Sequence, residues 1–320
     1  MNSNKQTQHR HSALGVHSVN RFVFSVPDLE VARHFYESFG LDVRQHGRIL
    51  DLYTLGHPHC WAQIHESEKG KLLEYVSYGI YPEDEAAFRE RLASLGLNAA
   101  PHPLSDGAGL WLSSPDGILC QLLPAEKVSP SCKSVHSTSD ASVPGCGRAP
   151  KRSAAKKVRP RHLSHILMFT PDVKQMIAFS EDVLGLRLSD HSGDLIAFMH
   201  SPHGSDHHLV AYAKSHAPGL HHSSWDVGSI DDVGLGSEQM REQGFVKGWG
   251  IGRHVLGSNY FYYVQDPWGS FAEYSFDIDF IPSSMNWLAQ DHPPADSLYV
   301  WGPSVPEDFI TNHERAADTI

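Results

Sequence analysis

The sequence predicts an α+β protein of two domains, each built from two βαβββ modules, in which one strand, one helix and three further strands follow one another. Two observations carry this prediction. The two halves of the 320-residue chain repeat one pattern, and within each half long runs of strand-like sequence contain few helices. A doubly wound sheet would instead place a helix after every strand.

The repeat opens with an apolar strand, a Pro-Asp turn, an amphipathic helix and a Gly-Leu exit from that helix. It reads NRFVFSVPDLEVARHFYESFGLDV from Asn20 and SHILMFTPDVKQMIAFSEDVLGLRL from Ser164. A second helix is predicted over 83–96 in the first half and over 231–244 in the second, with strands after it. Each half therefore predicts one domain.

A basic segment rich in serine, proline and lysine separates the halves and contains almost no large apolar residues. Such a segment buries too little apolar surface to offset the entropy cost of ordering it. We therefore predict a first domain over 14–124, a flexible basic linker over 125–160, a second domain over 161–290 and a tail over 291–320.

Composition excludes several classes of function. A net charge of −11 disfavours a nucleic-acid binder, whose phosphate contacts need a basic face. No run approaches the ~18 apolar residues of a membrane span, and the polar N-terminus does not resemble a secretory signal. With 4 widely spaced cysteines, we expect free thiols and a cytoplasmic protein. The unusual number is 23 histidines, which directs attention to metal binding and proton transfer.

Candidate metal ligands concentrate in the second half. His165 lies in the apolar strand LSHILMF, His221 and His222 open the segment HHSSWDV, and Glu273 lies in FAEYSF. A polar side chain facing inward from such a strand needs a partner, because burying it unpaired costs several kcal/mol. Two imidazoles and one carboxylate could satisfy one another by sharing a divalent metal as a facial triad. Either histidine of the adjacent pair could be the ligand, since neighbouring strand residues face opposite sides.

The repeat provides an internal control for this metal site. Counting from the shared turns, His165 corresponds to Arg21, and Glu273 corresponds to Gln121. His222 falls opposite the region of residues 74–75. The first half has the same frame without the ligands, so we expect the first domain to be metal-free and the second to be catalytic.

The run GRHVLGSNYFYYVQDPWGSFAEY, from Gly252 to Tyr274, resembles the signature of the type I extradiol ring-cleaving dioxygenases of the vicinal oxygen chelate superfamily, such as catechol 2,3-dioxygenase. In that signature a histidine, a tyrosine and a metal-binding glutamate surround an Asp-Pro-x-Gly turn. The resemblance covers most of the chain outside the linker and the two ends. It implies the vicinal oxygen chelate, or glyoxalase-like, fold.

The resemblance also implies the metal and its ligands. Fe(II), with Mn(II) as the other candidate, would be held by His165, His222 and Glu273, the second histidine of the adjacent pair being the family's ligand. The reaction implied is the meta cleavage of a catecholic ring with O₂ to a muconic semialdehyde-type product, in a homo-oligomeric enzyme of aromatic compound degradation.

Further residues follow from the same match. His254 and Tyr263 correspond to the family's substrate-contacting pair, and His207 to its acid–base histidine. His208 is the alternative to His207, and the spacing to His222 favours His207. Arg253 is a candidate for binding an anionic group on the substrate.

Two other functions are compatible with the pattern. A glyoxalase-like, metal-dependent isomerase would use the same fold, but such enzymes often use more carboxylates, which the ligand-poor first half does not supply. A metal-free small-molecule binding protein would have no reason to carry His165, His222 and Glu273 together.

Overall fold

The computed structural model describes residues 13–137, 144, 145, 147 and 149–314, and over these residues it confirms the predicted α+β fold. The first half forms a seven-stranded mixed sheet with two helices. Its elements are β1 (Ser18–Val26), α1 (Leu29–Phe39), β2 (Asp42–His46), β3 (Ile49–Tyr53), β4 (Cys60–Glu66), β5 (Leu72–Ile80), α2 (Glu85–Ser94), β6 (Leu110–Ser113) and β7 (Leu119–Pro124). The strand order across the sheet is β2-β3-β4-β1-β5-β7-β6.

The second half forms a ten-stranded sheet and a separate two-stranded ladder. Its elements are β8 (His162–Thr170), α3 (Val173–Phe179), β9 (Arg187–Ser192), β10 (Ile196–His200), β11 (Ser205–Asp206), β12 (Val210–Lys214), β13 (Gly219–Asp226), α4 (Ile230–Glu242), β14 (Gly248–His254), β15 (Tyr260–Gln265), β16 (Phe271–Phe276), β17 (Phe280–Ile281), β18 (Gln290–Asp291) and β19 (Tyr299–Trp301). The large sheet runs β18-β9-β10-β12-β8-β13-β16-β15-β14-β19, and β11 pairs with β17.

The two Pro-Asp turns start the first helix of each half, as the repeat predicts. Asp28 accepts hydrogen bonds from two backbone N–H groups of α1, and Asp172 accepts one from α3. Gly40 ends α1 with a φ of +105°. In the second half, Gly185 ends the helix with a φ of +69°, after a π-helical turn over Ser180–Leu184.

One predicted strand is missing among the described residues. The second module of the first half has only β6 and β7 after α2, so it is βαββ rather than βαβββ. The segment between α2 and β6 contains Pro101 and Pro103, which lack the backbone N–H that a strand ladder needs. Gly107 and Gly109 follow at positive φ, which turns the chain instead of extending it.

The segment predicted as a flexible linker is packed on both sides of the residues that the structure leaves undescribed. Ser129 is buried and its Oγ donates to the carbonyl of His17 at 2.6 Å, and Lys133 Nζ donates to the carbonyl of Ile278 at 2.5 Å. Val158 is 3% exposed and belongs to the apolar core. The prediction of flexibility rests on the lack of large apolar residues in this segment. In the structure, serine and lysine side chains hold the segment instead, through hydrogen bonds to backbone carbonyls.

The two halves share one apolar core. Phe39 of α1 stacks on Tyr274 of β16 with 4.0 Å between ring centroids. Lys71 of the first half and Asp266 of the second also form an ion pair of 2.5 Å in which both side chains are 2% exposed. The described part of the chain holds no helix that is long and apolar enough to cross a membrane.

Candidate metal and substrate site

Three neighbouring central strands of the large sheet carry the three candidate ligands. His165 lies on β8, His222 on β13 and Glu273 on β16, and all three side chains are buried. Nε2 of His165 lies 3.3 Å from Nε2 of His222, and Glu273 Oε2 lies 3.4 Å and 3.6 Å from these two nitrogens. Within the described ranges, this is the only group of three such side chains whose ligand atoms converge.

Strand pairing shows how the sheet positions these residues. Ser224 of β13 pairs with His165 on one side and with Glu273 on the other. In the first half, Ser77 of β5 pairs with Arg21 and Gln121 in the same way. The predicted correspondence between the halves is therefore confirmed, and Tyr75, two residues before Ser77, occupies the place of His222.

The donor set fits a divalent metal ion. Glu273 Oε2 is completely buried and has no hydrogen-bond partner among the described residues, whereas its other oxygen accepts from Asn259 Nδ2 at 3.1 Å. An unpaired buried carboxylate oxygen is costly, and a cation removes that cost. Two ligand atoms each about 2.1 Å from one ion at a right angle lie about 3 Å apart, close to the separations found here.

The charge states also suit metal binding. Burial lowers the pKa of His222 well below its usual value, so its ring is neutral and keeps a lone pair. Burial alone would raise the pKa of Glu273, but the neighbouring His165 and His254 outweigh burial and the pKa is lowered. The site thus presents neutral imidazole and an ionised carboxylate, the forms that bind a divalent ion.

A register shift in β13 decides between the adjacent histidines. Leu220 and His222 pair with consecutive residues of β8, so His221 is bulged out of the ladder. Both histidines therefore reach the cavity, which strict strand alternation would not allow. His222 carries the converging nitrogen, while His221 Nε2 donates to the carbonyl of Phe309 at 2.7 Å.

The geometry favours His208, not the predicted His207, for a place in the cavity wall. His208 lines the cavity, and its ring lies 4.0 Å from that of His165. His207 turns away and bonds through Nε2 to Asp190 Oδ2 at 2.9 Å. Both residues precede β12 in an irregular segment, where counting residues back from His222 does not give the side-chain direction.

His254 and Tyr263 lie next to the ligand group. His254 Nε2 is 2.9 Å from Tyr263 Oη and 3.8 Å from Glu273 Oε1. His254 Nδ1 lies 2.8 Å from the carbonyl of Leu298, which can only accept, so Nδ1 is the donor. Burial lowers the pKa of His254 and raises that of Tyr263 well above its usual value. The neutral imidazole therefore accepts at Nε2 from the tyrosine hydroxyl.

The cavity in front of these residues has a volume of about 110 Å³, enough for a small organic molecule, since one water needs only ~10–15 Å³ by the same measure. Its other walls are mostly apolar side chains, and none of the described residues that line it is a Lys, Arg, Asp or Glu. These wall residues are Leu167, Ile196, Phe198, Ala213, Leu256, Leu298, Phe309 and Ile310. Arg253 is not among them, because its Nε donates to the carbonyl of Ser258 and its guanidinium lies over Tyr260.

Sequence reasoning missed Asn259 and the tail. Asn259 lies inside the run that carried the resemblance, four residues before Tyr263. That position could have marked it as a candidate site residue. Leu298, Phe309 and Ile310 come from the segment predicted as a tail outside the catalytic domain. No local pattern indicated that this segment returns to the cavity.

Two comparisons with known proteins concern the sequence of the chain. Residues 162–274 match the model of the Glyoxalase/Bleomycin resistance protein/Dioxygenase superfamily. Metapyrocatechase 2 of Cupriavidus necator is 49% identical over 301 residues, and the match covers 93% of each protein.

Two solved structures extend the comparison to the fold. The Mn(II)-bound glyoxalase from Novosphingobium aromaticivorans superposes with a TM-score of 0.75 at 24% identity, covering 96% of this chain and 97% of that one. Homoprotocatechuate 2,3-dioxygenase from Arthrobacter globiformis gives 0.74 at 18% identity, covering 96% and 94%. At these identities the likeness concerns the fold alone.

Proposed function

Because the chain belongs to the metapyrocatechase family of extradiol ring-cleaving dioxygenases, we propose that it cleaves the ring of a catechol with O₂ beside the two hydroxyl groups, giving a muconic semialdehyde-type product. We place the reaction in the cavity of the second half, with His165, His222 and Glu273 as the metal ligands. The observation that carries this proposal is the unpaired, fully buried Oε2 of Glu273 facing two imidazole nitrogens.

The metal proposed is Fe(II), with Mn(II) as the alternative. Two neutral histidines and one carboxylate serve both ions, and the ligands on one side leave further positions free. When bound, such an ion would supply the open coordination positions and the redox chemistry that ring cleavage requires. The residues around it bind and orient the substrate and move its protons.

Tyr263 and His254 form a short path for a substrate proton. Tyr263 Oη donates to His254 Nε2, and its remaining lone pairs can accept from a catechol hydroxyl beside Glu273. His254 is in turn held by the carbonyl of Leu298. The pair would fix the orientation of the ring and take up a hydroxyl proton.

His208 takes the acid–base role that the sequence assigned to His207. It lies in the cavity wall against His165 and is 3% exposed. Burial and the neighbouring His165 lower its pKa well below the usual value, so the resting ring is neutral. A neutral imidazole can accept one proton from the reacting molecule and return it later in the reaction.

The walls of the cavity select the kind of catechol. Among the described residues that line it, the only ionisable side chains are histidines and Tyr263. A carboxylate on the substrate would enter this apolar space without a cationic partner, which is costly. We therefore propose catechols with no substituent or a small uncharged one, and Arg253 has no part in binding them.

The test is to purify the protein, measure its iron and manganese, and incubate it with catechol under O₂. We expect a product whose mass equals catechol plus two oxygen atoms, and much slower turnover of 3,4-dihydroxybenzoate. A fully metal-loaded protein that leaves catechol unchanged would disprove the function. Conversion of a glutathione hemithioacetal would favour the isomerase alternative, and absence of metal would favour a binding protein. The homo-oligomeric state and cytoplasmic location stay predictions.

A further inference from the structure

A chain of polar contacts leads from the edge of the cavity to the tail. Nδ1 of His208 lies 3.1 Å from Nδ1 of His207, and Nε2 of His207 lies 2.9 Å from Asp190 Oδ2. The other oxygen of Asp190 accepts from the backbone N–H of Gln290 and from His292 Nε2 at 3.1 Å. His207 and His208 are 1% and 3% exposed, so water does not compete for these bonds.

The direction of each hydrogen bond follows from the acidic end of this chain. Burial opposes ionisation of Asp190, but the bond from His207 and its other donors outweigh burial and lower its pKa. The ionised carboxylate can only accept, so His207 Nε2 must donate. In a neutral His207 the lone pair then lies on Nδ1, and His208 must donate to it from its own Nδ1.

We propose that Asp190 and His207 are positioning residues that fix His208 in the tautomer protonated on Nδ1, leaving the lone pair of its Nε2 for the cavity. Nε2 of His208 has no hydrogen-bond partner within the part of the chain that the structure describes. The use of this lone pair rests on the proposed ring cleavage, but the tautomer itself does not. Carboxylates hold catalytic imidazoles in one tautomer in the same way.

The other adjacent pair of histidines shows the same arrangement. His221 Nε2 donates to the carbonyl of Phe309, and its Nδ1 lies 2.6 Å from Nδ1 of His222. The carbonyl of Phe309 fixes the proton of His221 on Nε2, so His221 Nδ1 accepts from His222 Nδ1. His222 therefore keeps its lone pair on Nε2. Each pair thus consists of an outer histidine that is anchored and an inner histidine whose Nε2 carries no proton.

The tautomer can be read directly by ¹⁵N NMR of histidine-labelled, full-length protein loaded with diamagnetic Zn²⁺. The signals of His208 are identified by their loss in His208→Gln. We expect a protonated Nδ1 and an unprotonated Nε2 in the wild type. His207→Leu removes the nitrogen that accepts from His208 Nδ1, so we expect the ring proton of His208 to be shared between Nδ1 and Nε2. His207→Gln supplies both a donor for Asp190 and an acceptor for His208, and should restore the wild-type pattern.

Kinetics of the iron-loaded protein give the second measurement. We expect His207→Leu to lower kcat about 10–100-fold, the usual effect of removing such a supporting contact, with KM for catechol and metal content unchanged. His207→Gln should recover most of kcat. The control is His191→Gln, which should leave kcat unchanged, because His191 lies on the same strand as Asp190 but outside the chain of contacts.

A wild-type His208 protonated on Nε2 would overturn the proposal, as would an unchanged tautomer or an unchanged kcat in His207→Leu. If His207→Leu does not fold, the wild-type spectrum and that of Asp190→Asn replace it. In Asp190→Asn we expect a smaller fraction of His208 to be protonated on Nδ1. An unchanged fraction would count against the proposal. A protein that cleaves no catechol would refute the proposed function and leave the tautomer result standing.

Discussion

At the scale of single residues, the site depends on one carboxylate oxygen that the protein itself leaves unsatisfied. Glu273 Oε2 is buried against His165 and His222 and accepts no hydrogen bond from the part of the chain that the structure describes, whereas the other oxygen accepts from Asn259. The corresponding strands of the first half form the same pairing without these ligands. We therefore expect the fold not to depend on these ligands, and metal binding to depend on Glu273.

Glu273→Gln should abolish metal binding and leave the fold intact, because the amide removes the charge that a divalent ion needs. Metal content after dialysis and far-UV circular dichroism measure both effects. Glu74→Gln makes the same chemical change on β5 of the first half and should keep the metal. Full metal occupancy with near-normal turnover in Glu273→Gln would exclude Glu273 as a ligand.

His208→Leu should keep the metal and still bind catechol, because His208 lines the cavity but is not one of the three converging ligands. Ring opening should slow by ~10²–10⁴-fold, the usual contribution of a general acid–base group. Anaerobic titration with catechol, followed by stopped-flow mixing with O₂, separates the two steps. A variant of His208 that turns over normally, beside a more severely impaired His207→Leu, would return the acid–base role to His207.

At the scale of elements, the tail acts as part of the second domain. Glu314 is 5% exposed, and its two oxygens accept from the backbone N–H groups of Leu73 and Leu220, one in each half. Phe309 and Leu298 supply carbonyls to His221 and His254. Through these bonds the tail closes one wall of the cavity and ties β5 to β13.

Glu314→Leu should destabilise the protein by about 2–6 kcal/mol, since it leaves two buried N–H groups without an acceptor at about 1–3 kcal/mol each. Chemical denaturation measures the change. Glu314→Gln keeps a carbonyl oxygen as acceptor and should lose clearly less. Equal stability of Glu314→Leu and the wild type would show that water replaces the carboxylate.

The elements also show which features a sequence can predict. The Pro-Asp turns, the helices they start and the correspondence of His165 with Arg21 depend on local spacing, and all are found as predicted. The bulge at His221 and the direction of His208 depend on irregular backbone, which has no sequence period. The packed linker and the returning tail depend on contacts with residues distant in sequence.

At the scale of the whole molecule, the two halves are joined by polar contacts inside a shared core. The ion pair of Lys71 and Asp266 is buried at the start of β5 and in the turn before β16. Asp266 also accepts from the N–H groups of Trp268 and Ser270, so one carboxylate shapes the turn and binds the other half.

Lys71→Met should cost about 3–5 kcal/mol, because it leaves the Asp266 charge buried without its partner. Adding Asp266→Asn should recover part of this loss, as the amide oxygen can still accept from the turn. A double-mutant cycle in denaturant gives the coupling energy. Additive effects of the two changes would show that the pair does not join the halves energetically.

Acid should destabilise the protein before most carboxylates titrate. Burial lowers the pKa of His17 and of His200 to about 4, from 6.5. Both rings bind protons more readily in the unfolded chain, so stability is complete above pH 6.5 and is lost as the pH falls towards 4. Denaturation midpoints at pH 7.5 and 5 measure the loss, and His17→Gln should reduce it. Equal midpoints at both pH values would contradict this prediction.

The repeated strand register also bears on how the chain could be redesigned. At the positions of the three proposed ligands, Arg21, Tyr75 and Gln121 stand where His165, His222 and Glu273 stand in the other half. After a duplication, one copy could lose its ligands without losing its architecture. The design of a second metal site would begin with those three positions. It would then replace large side chains in front of them with smaller ones to form a cavity.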